Sequence, residues 1–385
     1  MYNQIYLDNA ATKQTDLYCY QAVGNVLLDN WGNPSSLYSY GDKARLNMMH
    51  NREIIADFIN AKPREIIFTS GGCEGNSLAL LGFIRAHPNT TLITTPIEHK
   101  SIMLLAEDYD DVRYVEVQEW TGIVFMKHLE GLLKEVTEKG NIPLVSIHFA
   151  NSEIGTIQDI KTITSLVHKY SGIMHTDATQ MMCQEKIDVK ELDVDMLSFS
   201  GQKMGAPKGI GVLYRKEKIK LKPLIYGSQE GGLRGGTENT AYIQALADLI
   251  KYRGNDIYFH NKEVRDYLGK LLSHSGLKFI IIGHPKMRLN NHLSICFIDT
   301  KENGIPIVHG ESLLYLLDSK GIYVSTGSAC NARSAEPSYV AQALKIPDKY
   351  QYSIVRFTFS NDNTKDEMDK VIQAIKESVN ALKLM

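Results

Sequence analysis

The sequence predicts an α/β fold, a mainly parallel seven-stranded sheet covered by helices, with a smaller α+β unit beside it. Three observations carry this reading. Seven short apolar runs alternate with helix-period segments up to residue 214, as expected for strands covered on both faces. After Gly211 the rhythm changes to fewer strands at irregular spacing. A chain of 385 residues also exceeds what one hydrophobic core usually organises, so two domains are expected.

Taken in order, the first eight residues lack a basic n-region, an apolar h-region and an Arg-rich amphipathic pattern, so the chain is expected to start directly with folded protein. The apolar runs 66–69, 91–95, 112–117, 144–149, 173–177, 196–199 and 210–214 predict the seven strands. Helices are predicted at 36–60, 74–86, 101–109 and 127–139. A glycine-rich segment, 227–237, precedes one long helical pattern from 238 to about 272, read as a bridge between domains. Strands at 279–282, 293–298 and 354–359 and helices at 311–319 and 365–384 then form the second unit. The expected division is 15–255 for a large domain, and 1–14 with 256–385 for a small one.

Composition narrows the function. With 43% hydrophobic and 22% charged residues the chain is an ordinary globular protein. A net charge of -2 gives no electrostatic reason to expect nucleic acid as partner, and no apolar run reaches membrane-spanning length. Five scattered cysteines without a CxxC pair argue against a disulfide framework or a structural zinc site, and fit a reducing cytoplasm.

The chemistry gathers at strand ends. The run 196–199 stops at Ser200-Gly201, so Gln202 and Lys203 lie on the loop leaving a buried strand, where open α/β sheets place ligands. A lysine sheltered there can form a Schiff base. Its rival, Lys208, sits between Pro207 and Gly209 in the turn to the next strand. Upstream, Phe68-Thr69-Ser70-Gly71-Gly72-Cys73-Glu74 reads as strand, glycine turn and helix start, whose open N–H groups suit a phosphate. Glu74 must then point away from it.

Asp177 closes an apolar strand, where a carboxylate needs a cationic partner. A protonated pyridinium nitrogen is one such partner; an arginine or a helix N-terminus is another. His99 follows a strand and could stack on an aromatic cofactor, move protons or simply hydrogen-bond. Asn151 follows another strand and could equally serve a turn. Arg356 interrupts an apolar strand and demands an anion, either a substrate carboxylate or a buried Asp or Glu. Cys330 lies among small residues and is expected on an exposed, mobile loop, whereas Cys296 reads as a buried core thiol.

Together, the runs 6–12, 32–36, 98–100, 177–180, 198–203, 327–330 and 336–339 resemble the cysteine desulfurases of the NifS and IscS type, in the class V aminotransferase group of pyridoxal phosphate enzymes with fold type I. By that resemblance Lys203 would bind the cofactor covalently, His99 would stack on its ring, Asp177 would hold the pyridinium nitrogen and Gln180 the phenolic oxygen. Gly72, Cys73, Ser200 and Gln202 would bind the phosphate, joined by Thr237 from the other subunit of a homodimer. Arg356, with Asn33 and Asn151 nearby, would receive the substrate carboxylate, Asn151 touching the cofactor too. Cys330 would take sulfur from L-cysteine as a persulfide, release alanine, and pass the sulfur to an iron–sulfur scaffold or a sulfur-carrier protein. Contact between Cys330 and a cluster stays open, and no other metal is expected.

Two residues depart from the family pattern, which usually has histidine where Gln202 stands and threonine where Cys73 stands. Gln202 cannot titrate, and Cys73 is only a weak donor, so weaker cofactor binding is expected. The other readings are a selenocysteine lyase or another class V enzyme, and an inactive cofactor-binding partner of a sulfur-transfer complex.

Overall fold

A computed structural model describes residues 4–327 and 336–384. In chain order come β1 (Ile5–Tyr6), α1 (Leu17–Asp29), α2 (Ser39–Phe58), β2 (Ile66–Thr69), α3 (Gly72–Ala86), β3 (Thr90–Thr94), α4 (Lys100–Glu107), β4 (Val112–Tyr114), α5 (Met126–Glu138), β5 (Ile142–Ser146), α6 (Ile160–Lys169), β6 (Ile173–Asp177), α7 (Val189–Leu192), β7 (Met196–Ser200) and β8 (Gly211–Arg215). They continue with α8 (Thr240–Arg253), α9 (Lys262–Ser273), β9 (Phe279–Ile282), β10 (His292–Phe297), α10 (Gly310–Asp318), β11 (Ile322–Tyr323), α11 (Tyr339–Ala343), β12 (Ile354–Thr358) and α12 (Lys365–Leu384). No helix among the described residues is long and apolar enough to cross a membrane.

The large sheet has seven strands in the order β2-β8-β7-β6-β5-β3-β4. All are mutually parallel except β8, which runs against β2 and β7. The reversal follows from chain length: a parallel return needs a crossover of about a dozen residues or more. Residues 201–210 only suffice for a tight return, and they include Lys203. Every residue of β2, β3 and β7 is buried, which is why these strands read as unbroken apolar runs without alternation.

A second sheet, β12-β10-β9, is antiparallel, and β1 pairs with β11 in parallel. Its core gathers Leu7, Leu268, Ile295, Leu313, Phe357 and Ile375 around residues from both chain ends. The N-terminal segment is stitched in where Asn9 donates from N and Nδ2 to the carbonyl of Thr358. Cys296 is fully buried, as its apolar surroundings predict, and burial pushes its thiol up to about 12.

Two elements differ from expectation. The periodic stretch 238–272 is two helices, α8 and α9, and not one. Gly254 takes a left-handed φ of 48°, ending α8, and the apolar Phe259 plugs the turn with its N–H 2.6 Å from the carbonyl of Cys183. Apolar spacing across the break misled the reading because it served a turn instead of a helix face. The strand expected at 112–117 is hydrogen-bonded as a strand only over Val112–Tyr114, at the edge of the sheet.

Gly211 opens β8 where a Cβ would lie 2.5 Å from the backbone of Gly71. Gly211→Ala must therefore separate the lysine hairpin from the glycine turn, and we expect a loss of about 1–3 kcal/mol in denaturant unfolding. An unchanged midpoint would show that the two loops part freely.

Candidate active site

The C-terminal ends of β2, β3, β5, β6 and β7 open into a cleft of about 390 Å³, the position where α/β sheets hold ligands. It collects Gly72, Cys73, His99, Asn151, Asp177, Gln180, Ser200, Gln202, Lys203 and Arg356. Lys203 is half-buried in a helical turn directly after β7, and its Nζ donates to the carbonyl of Ala11. Gln180 Nε2 reaches the carbonyl of Ala10 at 3.2 Å. The N-terminal segment thus forms one wall.

Asp177 ends β6 and is buried. Its carboxylate accepts from Asn76 Nδ2 at 2.8 Å and from the Thr179 N–H at 2.9 Å. Among the described residues no lysine or arginine pairs with it. Beneath it, burial pushes His175 down to about 4, with Asp177 pulling only weakly upward, and the neutral ring is held by Ser146 Oγ at 2.9 Å and Ser198 Oγ at 3.0 Å.

Beside Asp177, the first turn of α3 forms a small cradle. A Cβ on Gly72 would lie 3.1 Å from Thr179 Oγ1 and 3.6 Å from Ser200 Cβ, so glycine keeps the space open. Thr179 Oγ1 is buried and has no hydrogen-bond partner. A hydroxyl, a serine and open helix N–H groups are a donor set for an anion. Glu74 stays out of it by turning to Arg234 Nε at 2.9 Å. Partial burial alone would raise its carboxyl, but the bonds from Arg234 and Ser70 prevail and hold it below the usual range.

Arg356 rises from β12, about 1% exposed. One Nη meets Asp8 Oδ1 at 2.6 Å and the other the carbonyl of Ser152 at 2.9 Å, while Nε has no partner. Of the two anions the sequence left open, a carboxylate of the chain is present, and an unused donor remains beside it. Asn151 is committed to its turn: Oδ1 accepts from the Glu153 and Ile154 N–H groups, and Nδ2 donates to the carbonyl of Ile97 at 2.8 Å.

Asn33 and Thr237 are exposed and do not line this cleft. Asn33 Oδ1 accepts from the Ser35 N–H at 2.9 Å. Cys330 lies outside the described residues. Sequence reasoning missed Asp8, Asn76, Thr179 and the buried pair Glu98–His148, with Oε1 and Nδ1 2.9 Å apart and His148 Nε2 unpartnered. A polar residue within an apolar stretch, such as His148 in the run 144–149, was the available signal; Asn76, between Gly75 and Ser77, offered none.

Compared with known families, residues 5–371 match Aminotransferase class-V. The chain belongs to the class V aminotransferase family. It is 35% identical over 99% of its length to a cysteine desulfurase IscS of Methanosarcina thermophila, covering 93% of that protein. A solved NifS-like protein from Rickettsia africae ESF-5 superposes with a TM-score of 0.86 at 28% identity, over 98% of this chain and all of that one. A structure titled SspA in complex with cysteine gives 0.79 at 29% identity, over 94% of this chain and all of that one. Class V enzymes of this kind depend on pyridoxal phosphate. The residues of this family member fit that cofactor: a lysine amine, a carboxylate with only neutral donors, and an anion cradle meet in one cleft.

His175 gives this site a pH signature. Its proton affinity is depressed in the folded chain, so the stability it contributes is present above about pH 6.5 and is lost as pH falls through about 4. His175→Asn should flatten that part of the stability curve in urea titrations across this window; an unchanged slope would remove His175 from the account.

Proposed function

We propose that the cleft is the active site of a cysteine desulfurase, in which L-cysteine and the Cys330 thiol give L-alanine and a Cys330 persulfide. The reading rests on one observation, that Lys203, Asp177, His99 and Arg356 share a single cleft. Pyridoxal phosphate, when bound, supplies an electron sink that weakens bonds at the substrate α carbon.

The chain's own residues do the rest. Lys203 supplies the amine that attaches the cofactor. Asp177 holds the pyridine nitrogen protonated, and Gln180 steadies the phenolic oxygen. The turn at Gly72, with Cys73, Ser200 and Gln202, takes the phosphate, and Thr179 Oγ1 is positioned to join them. Arg356 offers its guanidinium to the substrate carboxylate, with part of its charge balanced by Asp8. Cys330 attacks the substrate sulfur, the carbon–sulfur bond breaks, and the new sulfur–sulfur bond leaves alanine free to depart. The sulfur then passes to an iron–sulfur scaffold or sulfur-carrier protein in the cytoplasm. Residues 15–255 act as the cofactor-binding unit, and 1–14 with 256–385 as the unit bearing Cys330.

We read the working form as a homodimer in which Thr237 serves the neighbouring site. Large apolar side chains stand exposed from α1 to the start of α2, including Leu28 at 76%, Trp31 at 64% and Leu37 at 97%, an unusual cluster for a monomer surface.

The purified protein should be yellow, and Lys203→Ala should lose the visible band. Cys330→Ser should keep the band but produce no added sulfur on the protein in mass spectrometry after incubation with cysteine. A colourless wild type given excess pyridoxal phosphate would refute the cofactor assignment, and unchanged sulfur loading would move the acceptor elsewhere, first to Cys73. For the assembly, Leu28→Asp with Leu37→Asp should sediment as a monomer with weakened cofactor binding; a monomeric wild type would defeat the dimer.

A further inference from the structure

One hydrogen-bond chain crosses the cleft from Asp177 to His99, and the sense of each bond follows from its two ends. Asp177 presents a carboxylate, which accepts. The backbone N–H of Ser101 can only donate, and it lies 3.1 Å from His99 Nδ1. Between these ends, Asn76 Nδ2 sits 2.8 Å from Asp177 Oδ2 and 3.0 Å from Ser101 Oγ. The carboxylate requires the nitrogen of the Asn76 amide to face it, which settles the amide orientation. The second hydrogen of that nitrogen goes to Ser101 Oγ. Ser101 Oγ has then accepted, so its own hydrogen is available to His99 Nδ1, 2.9 Å away.

His99 Nδ1 thus receives a backbone N–H and a hydroxyl hydrogen. A proton on Nδ1 would point at both donors. In the neutral ring the proton must sit on Nε2.

We propose that Asn76 and Ser101 are positioning residues that hold the His99 proton on Nε2 and brace its ring against the Asp177 carboxylate. The proposal deepens the active-site reading and rests on it for its catalytic consequence. With Nδ1 occupied and Nε2 protonated, His99 enters the reaction as a hydrogen-bond donor with no lone pair to offer the cleft. A neutral ring also avoids the repulsion that an imidazolium would meet beside a cationic pyridine ring. Helix capping alone does not explain the arrangement, since the backbone N–H of Ser101 already caps α4 through His99 without the hydroxyl or Asn76.

The test uses the full chain labelled with 15N-histidine, measured with and without pyridoxal phosphate, with the His99 signals assigned by their loss in His99→Gln. Wild type should show a single tautomer protonated on Nε2. Ser101→Ala keeps the backbone N–H but removes the hydroxyl, so it should move the Nδ1 resonance of that tautomer and lower turnover about five- to tenfold, the scale of one hydrogen bond, with cofactor affinity held within about twofold. Ser101→Thr, which keeps the hydroxyl, should restore both. A wild-type ring protonated on Nδ1 overturns the proposal, and so does Ser101→Ala with unchanged nitrogen shifts, whatever its rate. Failure of the active-site reading would be seen separately, as the absence of a visible band in wild type, and the tautomer can still be measured in the cofactor-free protein.

Discussion

Asp177 is a carboxylate withdrawn from water and answered only by neutral donors, the Asn76 amide and the Thr179 backbone. Burying such a charge without a cation costs several kcal/mol, and among the described residues no lysine or arginine offsets it. The fold carries this cost at the end of β6, in the middle of the sheet, where flanking strands hold the group in place. Much of the surrounding architecture serves it: α3 brings Asn76, the turn after β6 brings Thr179, and His175 beneath is kept neutral so that no cation competes from below. In the proposed site, the cationic ring of the family's cofactor would complete the balance.

The anion side of the cleft is built differently. Arg356 and Asp8 lie 348 positions apart and meet only because β1 pairs with β11 while the adjoining segment is bonded to β12. Both ends of the chain must be in place before the guanidinium has its counter-ion. The large sheet therefore supplies the lysine, the carboxylate and the cradle, while the arginine comes from an element of the second sheet.

Much of this was readable from the residues. Lys203, Asp177 and Gly72 stood out because each breaks an apolar run at a place where a buried strand must end, and Arg356 because a charge inside an apolar strand needs an explanation. Residues whose meaning lies in contacts between distant segments were not readable. Asn76 and Thr179 look like ordinary helix and turn residues until Asp177 and Gly72 are brought beside them. The break between α8 and α9 escaped because hydrophobic spacing carries no record of a single φ at Gly254. Asn151 suits either a turn or a ligand by sequence, and its side chain is spent on the turn while its position still lines the cleft.

The antiparallel return of β8 has an evolutionary consequence. Lys203 sits in a short link between two strands hydrogen-bonded along their length, with Gly71 pressed against the start of the second. An insertion or deletion in that link would drag the amine out of register with Asp177. Descendants of such a chain are free to lengthen or rewrite the opposite rim, and novelty in what the cleft accepts should accumulate there while the hairpin keeps its length.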